Sequence, residues 1–442
     1  MKDLLCIHLN EFNRKYLLDK GKKYNKKNIL SFFNKFENYI ETYSVDKIQD
    51  KNLDPWVQSV TINTGKTSSN HKIYKIGQGV PKKTMQIWDI LTKKKIKSGV
   101  WGTMNSILKK NKYLNFYYPD PWNYDFKTYP QNLESLLHLP RYYAQNYTNC
   151  NKLTILKYTI FFINKLIFTN FPFFFLKNIK KFCIAIISSK LRNYSLFCLF
   201  DIISLILCKD LIKKNETKFA LIFLNSIAHF QHNNWDNLKE EKNFFHYLDI
   251  IFDLLNTISL NYKSILLVNG FTQKKIATEF LIRPKNANEF LKKLNIKFVK
   301  LQQDMTTGGF LYFKNKNELK KNKDQLDKIN IRGLKLFKTT KYGEKRLYYK
   351  IHLKSYTQIN SDNYKNINKQ NLKKYFNYQE IDKLNLDLNY ELDRELLNEL
   401  TFIKTTGKHF EIGDLFYKNL DIKKQKKIHN AEIFSIIKKH FI

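Results

Sequence analysis

Short apolar runs separated by amphipathic stretches dominate the pattern of this chain. Leu4–Leu9, Phe219–Asn225 and Ser264–Val268 are nearly continuous apolar segments, which is typical of strands buried on both faces of a parallel sheet. The segments between them predict helices over residues 27–47, within 73–95 and around 244–258, and two shorter strands at Val100–Gly102 and Asn115–Tyr118. This alternation predicts an α/β fold with a mixed, mostly parallel sheet flanked by helices.

Changes in composition and in hydrophobic pattern divide the chain into five predicted segments. The segment 151–215 is rich in apolar residues and lysines, but none of its apolar stretches reaches the roughly 18 to 20 residues that a membrane span requires. It is predicted to be a helical insertion packed on the core, the alternative being a peripheral membrane-binding face with aromatic residues inside and lysines outside. The full set is an α/β core in two halves (1–150 and 216–282), the helical insertion (151–215), a small α+β cap (283–385), and a return to the core with a C-terminal helix (386–442).

Composition adds a strong positive charge that has two explanations. The net charge is +38, as expected of proteins that contact the phosphate groups of nucleic acids or anionic membranes. The lysines are scattered, however, and the sparse use of Gly, Pro and Met fits drift towards AT-rich codons equally well. Five cysteines without a CxxC pair indicate a reducing compartment, and no leader-like segment follows the first methionine. We therefore expect a cytoplasmic protein, with attachment to a membrane surface as the alternative.

Polar residues capable of chemistry follow several of the predicted strands. Glu11 comes directly after the first strand, His229 and His232 follow a later buried strand, and Asn269 follows the next one. His409 lies in a Gly-containing loop near the C-terminus. Functional side chains of open α/β sheets collect outside the carboxyl ends of the strands. These residues are therefore the candidates for a common site.

One motif that suggests a nucleotide-triphosphate site is excluded. Asn63-Thr64-Gly65-Lys66-Thr67 resembles the end of a phosphate-binding P-loop, whose backbone curls around phosphate only when a glycine stands five residues before the second glycine. That position is Val60. The tight turn is missing, so this segment needs another interpretation.

The order and spacing of four motifs resemble the alkaline phosphatase superfamily, in its type I phosphodiesterase and nucleotide pyrophosphatase branch. The resemblance covers roughly residues 1–145, 217–350 and 400–420. The motifs are Leu9-Asn10-Glu11-Phe12-Asn13, Asp54-Pro55-Trp56-Val57-Gln58 running into Asn63-Thr64-Gly65, Ala228-His229-Phe230-Gln231-His232, and Gly407-Lys408-His409 with Gly413. The resemblance implies an alkaline phosphatase-like fold and hydrolysis of a phosphate or sulfate ester at a metal site.

The chain departs from the pattern of this superfamily at several positions. The nucleophile expected nine residues before Thr64 falls on Pro55, which has no nucleophilic atom. Ala228 and Asn269 stand where the superfamily has metal-binding aspartates, whereas His232 and His409 match its histidines. The remaining ligands are too few for two divalent cations, so the resemblance implies a single-metal site or a metal-free polar pocket.

The resemblance also implies a role for each candidate residue. One divalent ion (Zn²⁺, Mn²⁺ or Mg²⁺) would be held by Glu11, His232 and His409, and either histidine could instead serve as a general acid or base. We expect Glu11, Gln58, His232 and His409 to line one pocket. The residues expected to contact substrate are Asp120, Thr64, His229 and Asn269, with Asp120 and His229 at the rim of the pocket.

Two functions from different classes follow. The first is an alkaline phosphatase-like hydrolase or transferase that acts on a small phosphorylated or sulfated substrate by an altered, single-metal mechanism. The alternative is a catalytically inactive member of the same fold that acts as a basic binding module for a polyanion, either RNA or anionic lipid. The missing nucleophile and the charge of +38 favour the alternative, and the retained histidines favour the first.

Overall fold

The computed structural model describes residues 3–44, 46, 53–123, 127–146, 150–235, 237–304, 307–331, 334–351, 354–356, 399–423 and 425–442. The chain forms two compact units. The first comprises Met1–Arg141, Leu156–Lys275 and Gly407–Ile442, and the second comprises Tyr142–Ile155 and Ile276–Thr406. Residues 357–385 of the predicted cap and residues 386–398 of the predicted return to the core lie outside the described ranges.

The described strands are β1 (Leu4–Leu9), β2 (Asn38–Tyr43), β3 (Ser98–Thr103), β4 (Leu114–Pro119), β5 (Phe219–Leu224), β6 (Ser264–Val268), β7 (Thr272–Pro284), β8 (Lys300–Gln303), β9 (Gly308–Tyr312), β10 (Asn330–Ile331), β11 (Leu334–Lys335), β12 (Phe337–Tyr342), β13 (Arg346–Ile351), β14 (Lys354–Tyr356), β15 (Leu400–Phe410), β16 (Ile412–Lys418) and β17 (Lys427–His429). The described helices are α1 (Arg14–Lys23), α2 (Lys27–Phe33), α3 (Pro55–Thr64), α4 (Ser68–His71), α5 (Ile87–Lys93), α6 (Glu134–Asn146), α7 (Lys152–Ile167), α8 (Phe171–Lys177), α9 (Ile179–Ser189), α10 (Asn193–Asn215), α11 (Ser226–Asn234), α12 (Leu238–Ser259), α13 (Ala287–Lys293), α14 (Lys316–Lys328) and α15 (Glu432–Phe441).

An eight-stranded sheet forms the centre of the first unit, in the order β17-β2-β16-β6-β1-β5-β3-β4. β1 pairs in parallel with β5 and β6, and β3 pairs in parallel with β5 and β4. Only β16 is reversed within this sheet, since it is antiparallel to both β6 and β2. The predicted fold class, a mixed and mostly parallel α/β sheet flanked by helices, is confirmed.

The continuous apolar character of β1 follows from its burial on both faces. Leu5 and Ile7 belong to a core cluster that includes Phe244 of α12, whereas Leu4 and Cys6 belong to a second cluster on the other side of the sheet. Alternate residues of a strand point to opposite faces, so five of the six positions are apolar, and the exception, His8, is also buried. This double burial places β1 at the middle of the sheet and positions the loop that follows it.

The predicted helix over residues 27–47 is wrong in its second half. α2 ends at Phe33, and Asn38–Tyr43 forms β2. Within β2, Ile40 and Thr42 are buried while Tyr39 and Tyr43 are more exposed, which is the period of two that a strand requires. The strand has only six residues, so its alternation of buried and exposed positions could not be recognised within the longer stretch 27–47.

The insertion predicted over residues 151–215 is helical, as α7 to α10 show. Phe162, Leu166 and Phe182 from these helices are buried in the first core cluster. No single helix in the described part of the chain has the length and apolar content of a membrane span, but α7 and α8 meet that criterion together as a pair bent by 83°.

The second unit has the α+β character expected of the cap. β12, β13, β9 and β8 form an antiparallel four-stranded sheet in that order. Phe290 of α13 and Leu326 of α14 share one apolar cluster with Leu347 and Tyr349 of β13. A separate three-stranded sheet has the order β14-β7-β15.

Candidate metal centre

Four neighbouring strands bring the candidate residues to one edge of the central sheet. Glu11 follows β1, Asn269 follows β6, and α11, which carries His232, follows β5. His409 lies in the last residues of β15 rather than in the predicted loop, three residues before β16, which is antiparallel to its neighbours. The start of a reversed strand lies at the same edge as the carboxyl ends of the parallel strands. Residues separated by most of the chain therefore meet at one point.

Glu11, His232 and His409 form a compact cluster at this edge. The Oε2 atom of Glu11 lies 3.1 Å from Nε2 of His232 and 3.1 Å from Nε2 of His409. One ligand atom from each residue lies within 4.8 Å of the others. Glu11 is buried, with 1% of its surface exposed, and has a left-handed backbone with φ of 56°. Non-glycine residues adopt this conformation rarely, and such residues concentrate at functional sites.

Two amide side chains fix the orientation of the Glu11 carboxylate. Asn10 donates to Oε1 at 3.0 Å and also to Oδ1 of Asn225 at 2.7 Å. Gln273 donates through Nε2 to Oε2 of Glu11, and to the carbonyl oxygen of Ala228 at 3.2 Å. Both carboxylate oxygens therefore have fixed hydrogen-bond donors, so the group cannot rotate freely.

The orientation of His409 is set by the loop before α3. Nδ1 of His409 lies 2.6 Å from the carbonyl oxygen of Leu53. A carbonyl oxygen only accepts, so Nδ1 carries the hydrogen and the neutral ring has its lone pair on Nε2. That Nε2 atom is buried and lies 3.1 Å from Oε2 of Glu11, with which it forms an ion pair when the ring is protonated. The side chain of Asp54 adds a carboxylate oxygen 3.9 Å from Nδ1.

The charges of the cluster shift the pKa values of its members. Burial by itself raises the pKa of Glu11, but the charges of His409 and His232 and their hydrogen bonds hold it well below its usual range. Burial by itself lowers the pKa of His409, but the Glu11 carboxylate, together with Asp54 and the Leu53 carbonyl, raises it to about 9. Without a metal, Glu11 is therefore ionised and His409 protonated at neutral pH.

His229 lies beside the cluster without joining it. Its ring stacks on Phe197 of α10 with 3.5 Å between centroids, and its Nε2 atom lies 3.3 Å from Nδ2 of Asn225. Burial lowers the pKa of His229 to about 3, so the ring is neutral. A chain of hydrogen bonds runs from Asn225 through Asn10 to Glu11, so His229 contacts a residue that supports the carboxylate.

Other residues predicted for the site are held by contacts outside the cluster. Gln58 donates to Asp46 at 2.7 Å and accepts from Asn430 at 2.8 Å. Thr64 donates to the carbonyl of Val60 within its own helix at 2.7 Å. These contacts hold both side chains through partners other than Glu11, so a role for either residue in the site stays a prediction.

Asp120 and Asn269 lie at the same edge of the sheet as the cluster. Asn269 contacts Glu11 directly, whereas Asp120 follows a strand at the end of the sheet. Asp120 follows β4, the outermost strand, and accepts from the backbone of Trp122 at 2.8 Å. Burial raises the pKa of Asp120 to about 7. Asn269 accepts through its backbone carbonyl from the Glu11 N–H at 3.4 Å, and its side chain bonds Phe12 and Asp414. Asn269 therefore supports the turn that carries Glu11.

Sequence reasoning missed two residues that contact the cluster. Gln273 is absent from the predicted site, yet it donates to Glu11. Asp54 has no predicted role, yet its carboxylate lies 3.9 Å from Nδ1 of His409, and its side chain makes no capping bond to α3. The position of Asp54 was the available signal, because it stands directly before Pro55, where α3 begins. The resemblance places the reacting group of the superfamily at the start of this helix.

The geometry suits one cation with mixed nitrogen and oxygen donors. Two imidazole nitrogens and one carboxylate oxygen converge, and Glu11 and His409 are each held by a further hydrogen bond. Metal-bound histidines commonly donate their other ring N–H to a carbonyl or carboxylate, which fixes the tautomer. The Leu53 carbonyl plays that part for His409.

Comparison with known proteins gives matches only among solved structures, since no family model and no curated protein matches the chain. Murine ectonucleotide pyrophosphatase/phosphodiesterase 5 matches with 8% sequence identity and a TM-score of 0.41, over 100% of this chain and 95% of the other. Alkaline phosphatase from the Antarctic bacterium TAB5 matches with 13% identity and a TM-score of 0.38, over 99% and 97%. Phosphonoacetate hydrolase from Sinorhizobium meliloti 1021 matches with 8% identity and a TM-score of 0.41, over 99% and 96%.

Proposed function

We propose that Glu11, His232 and His409 bind one divalent metal ion and that the protein uses this centre to hydrolyse a phosphate or sulfate ester. The observation that carries the proposal is the approach of two imidazole Nε2 atoms to a single carboxylate oxygen, each 3.1 Å away. One of these nitrogens has its tautomer set by the Leu53 carbonyl. The same bond leaves the Nε2 lone pair free for a cation once the ring has lost its second proton.

The donor set favours Zn²⁺ among the divalent ions. Catalytic zinc sites commonly have three protein ligands, two histidines and one glutamate among them, and leave a fourth position for water or substrate. Mn²⁺ accepts the same donors with lower affinity, and Mg²⁺ prefers oxygen ligands. We therefore expect Zn²⁺ to bind most tightly and Mg²⁺ most weakly.

A bound ion of this kind supplies a Lewis acid and lowers the pKa of a water molecule enough for attack at neutral pH. The residues of this chain orient that centre. Asn10 and Gln273 hold the Glu11 carboxylate, while the Leu53 carbonyl and Asp54 hold the His409 ring. His409 reaches the metal-binding form only after losing its proton, which the raised pKa keeps on the ring when no metal is present.

The assignment to an ester substrate rests on the order of the motifs and on the position of α3. The helix begins at Pro55, two residues after the Leu53 carbonyl that binds His409. The N-terminus of a helix favours anions such as phosphate and sulfate because of its dipole and its N–H groups. Pro55 itself has no nucleophilic atom, so water, rather than a side chain at that position, is the attacking group in the proposed reaction.

Metal content and turnover test the proposal together. Protein purified without chelators, or reloaded with Zn²⁺ after chelation, is expected to contain about one ion per chain by plasma mass spectrometry. Glu11→Gln and His409→Ala are expected to lose the ion. His138→Ala is the matched control, because this histidine stacks on Tyr158 and is no member of the cluster. The absence of stoichiometric binding of Zn²⁺, Mn²⁺ and Mg²⁺ would overturn the metal centre.

The catalytic part has its own test. The metal-loaded protein is assayed against nitrophenyl phosphate, bis-nitrophenyl phosphate and nitrophenyl sulfate. We expect turnover of at least one ester, and its loss in Glu11→Gln but not in His138→Ala. A protein that binds the ion but hydrolyses none of a broad ester panel would contradict the hydrolase and leave the alternative, a binding module.

A further inference from the structure

We propose that helices α7 to α9 bind the surface of an anionic lipid bilayer. The evidence is a set of large apolar side chains that the fold leaves in solvent, referred to below as the apolar face. It comprises Ile160, Ile163, Ile167, Phe168, Phe173 and Ile187. Phe168 is 87% exposed, and Ile187 is 75% exposed. Exposed apolar areas of this kind mark interaction surfaces far more often than isolated apolar residues do.

The apolar face is separate from the surface with which the same helices pack on the core. In α7, Leu156, Ile160, Ile163 and Ile167 are exposed at intervals of four, three and four residues, which places them along one side of the helix. Phe162 and Leu166 lie on another side and are buried in the core cluster.

α9 is divided in the same way. Ile184 and Ile187 are exposed, three residues apart, while Phe182 and Ala185 are buried. Each helix is thus anchored by one apolar side and presents a second one to solvent. The second side is not needed to hold the helix on the core, so its apolar character requires another explanation.

The charge of the segment that contains α7 to α9 indicates the chemistry of its partner. No Asp or Glu occurs from Ser135 to Phe200, a stretch of 66 residues, although the whole chain contains 39 among 442. Residues 201–260 alone contain eight. Codon drift raises the lysine content throughout a chain, but it does not remove acidic residues from one segment and keep them in the next.

Exposed lysines occur along the same segment as the apolar face. They are Lys157 and Lys165 of α7, Lys177 of α8, Lys180 of α9 and Lys190 directly after α9. The partner must therefore offer negative charge and an apolar phase side by side. An anionic bilayer has both, since its phosphate layer lies directly above the acyl chains. Lysine side chains can bury their methylene groups and keep the ammonium at the level of the phosphates.

The helices are expected to lie in the interface. No single helix in the described part of the chain qualifies as a membrane span, and α7 and α8 form a pair bent by 83°. Such a bend suits helices that follow the surface. The buried sides of α7 and α9 keep their contacts with the core, so binding requires no unfolding of the insertion.

Vesicle flotation tests this proposal on the full chain. We expect the protein to float with vesicles of phosphatidylcholine mixed with phosphatidylglycerol, far less with phosphatidylcholine alone, and less at high salt. The triple variant Ile163→Ser, Phe168→Ser, Ile187→Ser is expected to lower the affinity about tenfold or more, because three large apolar groups no longer enter the bilayer. The matched control is Leu238→Ser with Leu260→Ser, two exposed leucines outside the segment.

A second pair of variants separates charge from apolar contact. Lys165→Gln, Lys177→Gln, Lys180→Gln is expected to weaken binding to the anionic vesicles and to reduce its dependence on salt. Lys82→Gln, Lys83→Gln, Lys94→Gln removes the same charge from exposed lysines elsewhere and should change little.

Three outcomes would overturn the proposal. The first is the absence of binding to anionic vesicles at low salt. The second is equal loss of binding in the segment variants and their controls. The third is self-association in solution that the triple serine variant abolishes without any vesicle binding, which would assign the apolar face to a second copy of the chain. Vesicle binding does not require the metal centre, so failure here leaves the proposed hydrolase untouched.

Discussion

His409 donates its Nδ1 hydrogen to the carbonyl oxygen of Leu53 across 2.6 Å, although the two residues are 356 positions apart in the chain. This bond connects the end of β15 to the residues directly before α3. It also turns the opposite nitrogen of the ring towards Glu11, 3.1 Å away. The position of one backbone carbonyl thus determines which nitrogen of His409 is available to a metal.

The two histidines nearest the cluster are expected to respond differently to truncation. His409→Ala should abolish metal binding, because it removes one of three ligands. His229→Ala should retain the metal and cost roughly 1 kcal/mol of stability, because the ring stacks on Phe197 rather than facing Glu11. Metal content and thermal unfolding of both variants, measured in parallel, check this contrast. Retention of the ion in His409→Ala would remove His409 from the ligand set.

Metal affinity is expected to rise with pH up to about 9. In the metal-free protein Glu11 raises the pKa of His409 to about 9, so below that pH an incoming cation must displace the proton on Nε2. The apparent association constant should increase about tenfold per pH unit, then level off near pH 9. Competition with a chelator of known affinity measures it at each pH. A flat profile between pH 6 and 9 would mean that His409 is not a ligand.

The same two groups predict how the stability of the metal-free protein depends on pH. The pKa of Glu11 is depressed, so its contribution is present above its ordinary value of 4.5 and is lost in acid. The pKa of His409 is raised, so its contribution is fully present below 6.5 and is lost as the pH rises towards about 9. The stability difference between wild type and Glu11→Gln should therefore be most favourable to wild type between about pH 4.5 and 6.5. Thermal unfolding in EDTA across this range provides the measurement.

The approach of Glu11 and His232 to each other could be predicted because it follows from the topology of the strands. β1, β5 and β6 are continuous apolar runs, and the residues after them must lie at one edge of a parallel sheet. Only the resemblance to the superfamily predicted that His409 belongs to the site, since His409 precedes a reversed strand rather than following a parallel one. The periodicity of its surroundings does not indicate on which edge it lies.

The supporting contacts were less predictable because amides and backbone carbonyls have no distinctive pattern. The donors to Glu11 are Asn10 and Gln273, and Gln273 is an ordinary polar residue near the start of β7. Gln58 illustrates a second difficulty, which is to predict the direction of a side chain. It lies in the right motif, on the helix next to the site, but its carboxamide binds Asp46 and Asn430. Sequence spacing places a residue on a helix, whereas the direction of its side chain depends on neighbours from distant segments.

Asp54 is expected to act on the metal through His409. Its carboxylate lies 3.9 Å from Nδ1 and contributes to the raised pKa of His409. Asp54→Asn removes the charge at nearly constant shape, so the pKa of His409 in the metal-free protein should fall from about 9. Nitrogen-detected NMR titration of the ring measures this directly. Asp19→Asn, at an exposed position on α1, is the control that should leave the titration unchanged.

Gly407 is expected to be required for the position of His409. A Cβ atom at residue 407 would lie 2.5 Å from the carbonyl oxygen of Gln231 and 2.5 Å from Oε1 of Gln273, both closer than real contacts allow. Gly407→Ala must therefore displace either α11, which carries His232, or the amide that orients Glu11. We expect a loss of about 1–3 kcal/mol in stability, the usual range for overpacking, together with weaker metal binding.

Gly21→Ala is the matched control for this substitution. Gly21 lies within α1, and the nearest atoms to an added Cβ are 3.5 Å away, which is ordinary contact. Alanine in a helix should leave stability unchanged or raise it slightly. Chemical denaturation and Zn²⁺ titration of both variants give the comparison. If Gly407→Ala binds metal and unfolds like the wild type, the end of β15 must tolerate a shift that leaves His409 in place. The close packing around Gly407 would then not be required for the site.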